Sequence, residues 1–357
     1  MMRGSTGWYT RRSRSRLLSG VALLLGTTFA PAAAARAQPL FRSDSVLNVT
    51  ITTNLRDLVR ERDSTKLAWF GAEFVYVDGD STVTVPVELR ARGHFRRQRG
   101  NCEFPPLLVR VNDNDSRGTQ LQGNPRLKLV TPCRTGSDEY QQYVLLEYGV
   151  YRTYAALNAM HPRTRLAQVT YRDSSDRVKP ITVQAFFSET EEEVAKGLDM
   201  KLADKLLGAR FDDIDAPTLQ SVALFSVMVG NPDWSISGQH NVYLLQDSTG
   251  LYRPVAYDWD WVGLVNARYA KPDYRLPIKS VTERHYMGPC YTLEEWSPAV
   301  SRYLASRAAV DSVWSAIPNL SDNRRQQAAR YLGDFWKILE NPRELSRLTK
   351  SCRPTSN

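Results

Sequence analysis

Between residues 44 and 130 apolar and polar positions alternate along the chain. The stretch VLNVTITTN alternates, FGAEFVYVDGDSTVTVPVELRARG reads as two strands joined at Asp78-Gly79-Asp80, and PPLLVRV and RLKLV are short apolar runs. The period then changes. In DEYQQYVLLEYGVYRTYAALNAM, Tyr140, Tyr143, Val144, Glu147, Tyr151, Tyr154 and Leu157 fall near one face, which predicts a helix that stops before His161-Pro162. RLAQVTY and ITVQAFF return to strand-like patterning. From Glu189 onward helices dominate: SETEEEVAKGL opens with Ser188 and Glu191 at capping-box spacing, APTLQSVALFSVMVG is an apolar helix running into Asn231, and the tail is helical from Leu293. NVYLLQ and YRPVAYDWDW interrupt these helices as strand-like pieces. The pattern predicts an α+β chain with a β-rich half carrying one helix over 38–187, an α-rich half over 188–357, and a cleft between them.

The first 37 residues follow a different logic. Arg11, Arg12, Arg14 and Arg16 precede an apolar run from Leu17 to Ala30, and Ala35-Arg36-Ala37 closes the stretch. This predicts a secretory signal peptide over 1–37, cut before Gln38, with an apolar run too short to span a bilayer comfortably. The expected location is periplasmic, cell-envelope or extracellular, with no membrane-spanning segment. Removing the six arginines of that stretch, which has no acidic residue, lowers the formal net charge from +9 to +3. A nucleic-acid partner is therefore not expected. Composition, with 42% hydrophobic and 24% charged residues, is that of an ordinary globular chain and suits such a two-part arrangement.

An exported chain meets oxidising conditions, so Cys102, Cys133, Cys290 and Cys352 read as two disulfides. Of the three possible pairings, Cys102 with Cys133 is favoured because both flank strand-like segments of one half, leaving Cys290 with Cys352. No C-x-x-C occurs, which argues against zinc.

The candidate chemistry concentrates in MVGNPDWSISGQHNVYLL and the DWDW that follows it. On a strand, Asp258 and Asp260 would share a side, and two adjacent carboxylates repel unless a proton or cation sits between them. Oxygen-seeking divalent ions, Mg²⁺ above all, suit such a pair. A solvated hairpin end is the alternative, and flanking Tyr257, Trp259 and Trp261 oppose full solvation. Asn231, Asp233 and Asn241 supply an acid and carboxamides of the kind phosphoryl transfer uses. Taken alone, Gly230 and Asn231 are also a good helix C-cap and turn.

The pattern GN-x-D … HN-x-Y-L … YDWDW resembles the catalytic segment of the CotH family, the spore-coat protein H-like atypical kinases, and more distantly that of the HipA-like kinases. The resemblance runs over roughly Glu88 to Val262. It implies a bilobal protein-kinase-like fold, ATP as co-substrate and Mg²⁺ or Mn²⁺. Carried over, Asp233 is the catalytic acid-base, Asn241 and Asp258 hold the metal, and Asp260 supports or shares it. Upstream, Lys128 of RLKLV and Glu147 of VLLEYGVY would be the strand-lysine and helix-glutamate pair that meets the phosphates. Arg92, Arg96, Arg97 and Arg99, in ELRARGHFRRQRGN, would hold phosphate oxygens or form a plain basic surface. Phe186 to Glu189 would border the adenine. The chain departs from the pattern twice: Asp233 and Asn241 lie eight apart, wider than the usual kinase spacing, and only Gly93 and Gly100 stand where a glycine-rich loop is expected. The expected function is an exported kinase acting on a protein or small hydroxyl acceptor. Because ATP is scarce outside the cytoplasm, a catalytically inactive, kinase-like envelope or coat binding protein is the second reading. A hydrolase with a two-metal carboxylate site is a third.

Overall fold

The computed structural model describes residues 40–61, 67–203 and 206–354, so the predicted signal peptide and its cleavage point lie outside the described residues. The described residues belong to one compact unit.

Strand β1 (Leu47–Thr53) leads into a one-and-a-half-turn helix α1 (Leu55–Arg60), capped by the Asn54 side chain. β2 (Phe70–Asp78) and β3 (Ser81–Ala91) form the hairpin expected at Gly79-Asp80, with Gly79 at φ 58°. β4 (Leu107–Val111), α2 (Asp113–Ser116) and β5 (Arg126–Val130) follow, then the long helix α3 (Asp138–Leu157). β6 (Thr164–Asp173) and β7 (Ile181–Glu189) complete a closed barrel in the order β1-β2-β3-β4-β5-β7-β6. Every neighbouring pair is antiparallel except β1 with β6, where Leu47 to Thr53 lie parallel to Ala167 to Asp173. The inward set of alternating residues, including Leu47, Val49, Ile51, Phe74, Val85, Leu89, Val109 and Phe187, fills this barrel as its own core. Closure leaves the sheet no free edge.

The second half contains α4 (Glu191–Gly197), the short β8 (Lys201–Leu202), α5 (Ala216–Val229), β9 (Val242–Gln246), β10 (Tyr252–Ala256), α6 (Leu293–Ala305), α7 (Arg307–Ala316), α8 (Asp322–Leu339) and α9 (Pro342–Leu348). β10, β9 and β8 form a separate three-stranded sheet.

The α+β class is as expected, but the bilobal protein-kinase-like fold is not what the chain adopts. A seven-stranded mixed barrel stands where a β-rich lobe was expected. Helix α3, assigned from sequence to that lobe, packs on both halves: Tyr148 and Tyr151 meet Phe186 of β7 at 5.8 and 5.4 Å, while Tyr143, Leu146, Val150, Tyr151 and Tyr154 share one cluster with Phe225, Trp259 and Trp314. The helix is buried nearly all round, so its apolar stripe does not say which neighbour it serves. The expected capping box at Ser188 is also corrected. Ser188 belongs to β7, and α4 starts after Thr190 without a side-chain cap.

Both disulfides pair as favoured, Cys102 with Cys133 and Cys290 with Cys352. Among the described residues no helix is long and apolar enough to cross a membrane.

Gly149 marks where α3 meets α7. A Cβ there would lie 2.7 Å from the Trp314 ring and 2.8 Å from Ile317 Cδ1. Gly149→Ala is expected to destabilise the protein by about 1–3 kcal/mol, because overpacking against a rigid ring outweighs the helix propensity gained. Denaturant titration of the two proteins measures it.

Candidate active site

The helix–turn after α5 begins the site. Gly230 takes a left-handed conformation, φ 67°, and the Asn231 amide donates back to the Ser226 carbonyl at 2.7 Å. Only glycine fits here, since a Cβ at Gly230 would fall 2.1 Å from the Tyr331 hydroxyl. The Asn231 side chain then accepts from the Asp233 amide at 3.0 Å, fixing the turn that presents Asp233.

The eight-residue gap to Asn241 closes as a small bridged loop. Ser235 and His240 exchange both backbone hydrogen bonds, each 3.0 Å, so the chain doubles back and lays Asn241 against Asp233. Asn241 Nδ2 donates to the Asp233 carbonyl at 2.8 Å and to its Oδ2 at 3.1 Å. His240 Nε2 meets the other carboxylate oxygen, Oδ1, at 2.9 Å. That hydrogen bond, more than any other influence, holds the imidazole above its ordinary range.

Asp258 and Asp260 are not on a strand, a further correction to the sequence reading. β10 ends at Ala256, and Asp258 has φ 64°. Its amide donates to the Tyr151 hydroxyl of α3 at 3.0 Å, and the preceding Tyr257 amide donates to the Asn241 carbonyl at 3.0 Å. Both carboxylates still face one cleft. Gln239, Asn241 and Asp258 all have positive φ, three non-glycine residues in an unfavourable region around one site.

That cleft, about 580 Å³, is lined by Arg92, Arg96, Asp233, Asn241, Asp258 and Asp260. Phe95, Trp261 and Tyr274 form its aromatic side, with Phe95 and Trp261 edge to face at 5.0 Å. Arg92 and Arg96 come from the loop joining β3 and β4, which Cys102–Cys133 staples to the segment after β5. Arg92, Asp233, Asn241, Asp258 and Asp260 thus line one cleft.

Lys128 and Glu147 are not paired, and this expectation is corrected. Lys128 Nζ lies 2.5 Å from Glu191 Oε1 at the start of α4 and 4.5 Å over the Tyr257 ring. Glu147 faces Arg96 at 3.6 Å, and Arg96 also approaches Asp260 at 3.8 Å. Each cation takes the carboxylate that its own surroundings bury with it. Burial depresses the Lys128 ammonium below its usual range, with Glu191 opposing. Phe186 to Glu189 do not border the cleft; they are buried in β7 between β5 and β6.

Arg96, Glu147 and Asp260 form a buried triad with one charge too many on the acidic side. Burial, then the neighbouring Asp258, pushes Asp260 up to about 7, against the pull of Arg96. Burial and Asp260 hold Glu147 well above the carboxylate range, again against Arg96. Asp260 Oδ2 is buried without a hydrogen-bond partner. Sequence reasoning missed Glu191 and named Arg96 only as one of four loop arginines that would hold phosphates or form a basic surface. Arg96 is one of several arginines in an unpatterned loop, and nothing in the order of residues says which one turns inward.

Among the described residues no three His, Cys, Asp or Glu side chains are gathered closely enough to hold a metal ion by themselves. A small hard cation that keeps water and substrate oxygens as ligands needs only one or two carboxylates. Asp258 and Asp260 are the carboxylates of the cleft available for that role, although Asp260 Oδ2 already lies 3.8 Å from the Arg96 guanidinium. The Asn241 amide nitrogen is taken by Asp233, so its oxygen turns the other way. No family model matches the chain, and no curated protein matches it.

Proposed function

We propose that the cleft is a phosphoryl-transfer site, and that the chain is an exported, ATP-dependent atypical kinase of CotH type in its chemistry though not in its overall fold. The observation that carries this reading is the convergence of Asp233, Asn241, Asp258 and Asp260 with Arg92 in one cleft. Export accords with the two disulfides.

In this reading Asp258 and Asp260, with the Asn241 oxygen, would hold Mg²⁺ or Mn²⁺. The ion supplies charge neutralisation for the transferred phosphoryl group. Asp233 orients the acceptor hydroxyl and takes its proton. His240 and Asn241 hold the carboxylate of Asp233 by one oxygen each, which fixes its rotamer. Arg92, at the cleft wall, steadies phosphate oxygens. The acceptor is a protein or small-molecule hydroxyl.

The test is purified protein with labelled ATP and Mg²⁺. Transfer of label to the protein or to an added acceptor is expected, together with a thermal stabilisation of about 2.7 kcal/mol when nucleotide stands at 100 times its Kd. Asp258→Ala is expected to abolish the metal-dependent part of that stabilisation. Stabilisation without any transfer returns the binding-protein reading; neither effect removes the nucleotide altogether.

A further inference from the structure

Outside the cleft lies a second cavity, about 390 Å³, between residues 284–285, α8, α9 and the turn that follows it. Arg284, His285, Arg347 and Lys350 line it, against the single carboxylate of Glu344, which Arg347 already engages. Arg284 is the unusual member. Its Nη2 donates to the Tyr331 carbonyl at 2.5 Å and to the Met228 carbonyl at 3.3 Å, and its guanidinium lies 3.8 Å over the Tyr331 ring. Its Nε is buried without a partner. The Asp334 carboxylate acts on it only through space.

A largely buried charge needs a counter-charge, and carbonyls and rings supply only part of one. Burial accordingly pulls the Arg284 guanidinium below its ordinary range. His285 is likewise held below its usual range by burial and by nearby Arg353, so the surroundings add positive potential rather than balance it.

We propose that this cavity binds a compact phosphate-type dianion, with Arg284 as the buried cation and Arg347 and Lys350 as the exposed ones. The site is independent of the kinase reading but adjoins its scaffold. Arg284 grips Met228 in the last turn of α5, two residues before Gly230. The Tyr331 ring under Arg284 carries the hydroxyl that fills the space beside Gly230 and Gly263. An anion drawn to Arg284 therefore acts on the packing that seats Asn231 and Asp233.

The experiment titrates inorganic phosphate into the purified protein, with sodium chloride at matched ionic strength as control. Calorimetry and thermal midpoint are the readouts. One saturable site is expected, with a rise in midpoint that chloride does not reproduce. The double variant Arg347→Glu/Lys350→Glu changes only exposed side chains; it is expected to weaken binding at least tenfold while circular dichroism stays unchanged. Asp258→Ala is expected to leave phosphate binding intact. Co-sedimentation with phosphatidate vesicles, lost in the same double variant, would assign the dianion to a lipid headgroup; binding of free phosphate without sedimentation would assign a soluble one. Equal binding by the double variant, a chloride response of the same size, or loss of binding in Asp258→Ala overturns the site, the last by placing the anion in the cleft.

Discussion

Asp233→Asn is expected to lower phosphoryl transfer by about 10²–10⁴-fold, the usual contribution of a positioned general base, with little change in thermal midpoint. Two features make the substitution a clean one. The Asp233 side chain is 40% exposed, so removing its charge leaves no buried hole. An asparagine is close to isosteric, so Asn241 Nδ2 keeps its contact to the backbone carbonyl of residue 233. What changes is the ability to accept a proton from a hydroxyl, together with one of the two contacts that His240 and Asn241 make to the carboxylate oxygens. Asp258 and Asp260 are untouched, so stabilisation by Mg²⁺ and ATP should persist at near its original size. Single-turnover transfer at saturating nucleotide separates the two effects. A loss of less than tenfold would show that another group takes the proton, and loss of nucleotide binding with it would show that Asp233 serves the metal instead.

The elements of this protein were far more legible than their arrangement. β2 and β3 declare themselves because alternation and the Asp78-Gly79-Asp80 turn act locally. Barrel closure does not, because it depends on β1 lying beside β6, with Leu47 opposite Ala167. Alternation states which face of a strand is buried and says nothing of which strand lies next to it. The partners of α3 were hidden for a related reason: its tyrosines and leucines are buried on nearly every side, so the sequence carried no record that they meet Phe186 of β7 as well as Trp259 and Trp314.

The site shows the same division. Asp233, Asn241, Asp258 and Asp260 were readable as a group because polar residues stood beside apolar runs that had to be buried. Their supports were not. The Ser235–His240 bridge that closes the eight-residue gap uses backbone groups, which every residue has. Asp258 reaches the cleft through a left-handed backbone and the Tyr151 hydroxyl, not through strand alternation. The exchange of partners, Lys128 to Glu191 and Glu147 to Arg96, depends on which acid each cation meets once the barrel has closed.

That exchange makes Arg96 the residue whose loss should cost the most stability. It contacts Glu147 and Asp260, and its Nη2 also donates to the Thr131 carbonyl, tying the cleft loop to the segment after β5. Burial opposes its charge, yet Tyr269, Asp260 and Glu147 together more than offset that and keep it charged. Arg96→Met keeps much of the side-chain bulk and leaves two buried carboxyl groups without their cation. Breaking one side of such a network is expected to cost about 3–5 kcal/mol, read as a fall in denaturant midpoint at neutral pH. Packing and electrostatics can then be told apart by adding Glu147→Gln. If uncompensated acidity is the cause, the second change should recover a large part of the loss, so that the two substitutions are strongly non-additive. It should also make Arg96→Met less sensitive to rising pH, since one of the two buried carboxyl groups held above the carboxylate range in the folded state is gone. The sign follows from the raised position of Glu147: ionising it is harder folded than unfolded, so stability falls as pH climbs past the ordinary carboxylate range. Simple additivity, with the pH dependence unchanged, would mean that Arg96 serves as a packing residue and that the triad does not bear on the stability of the cleft.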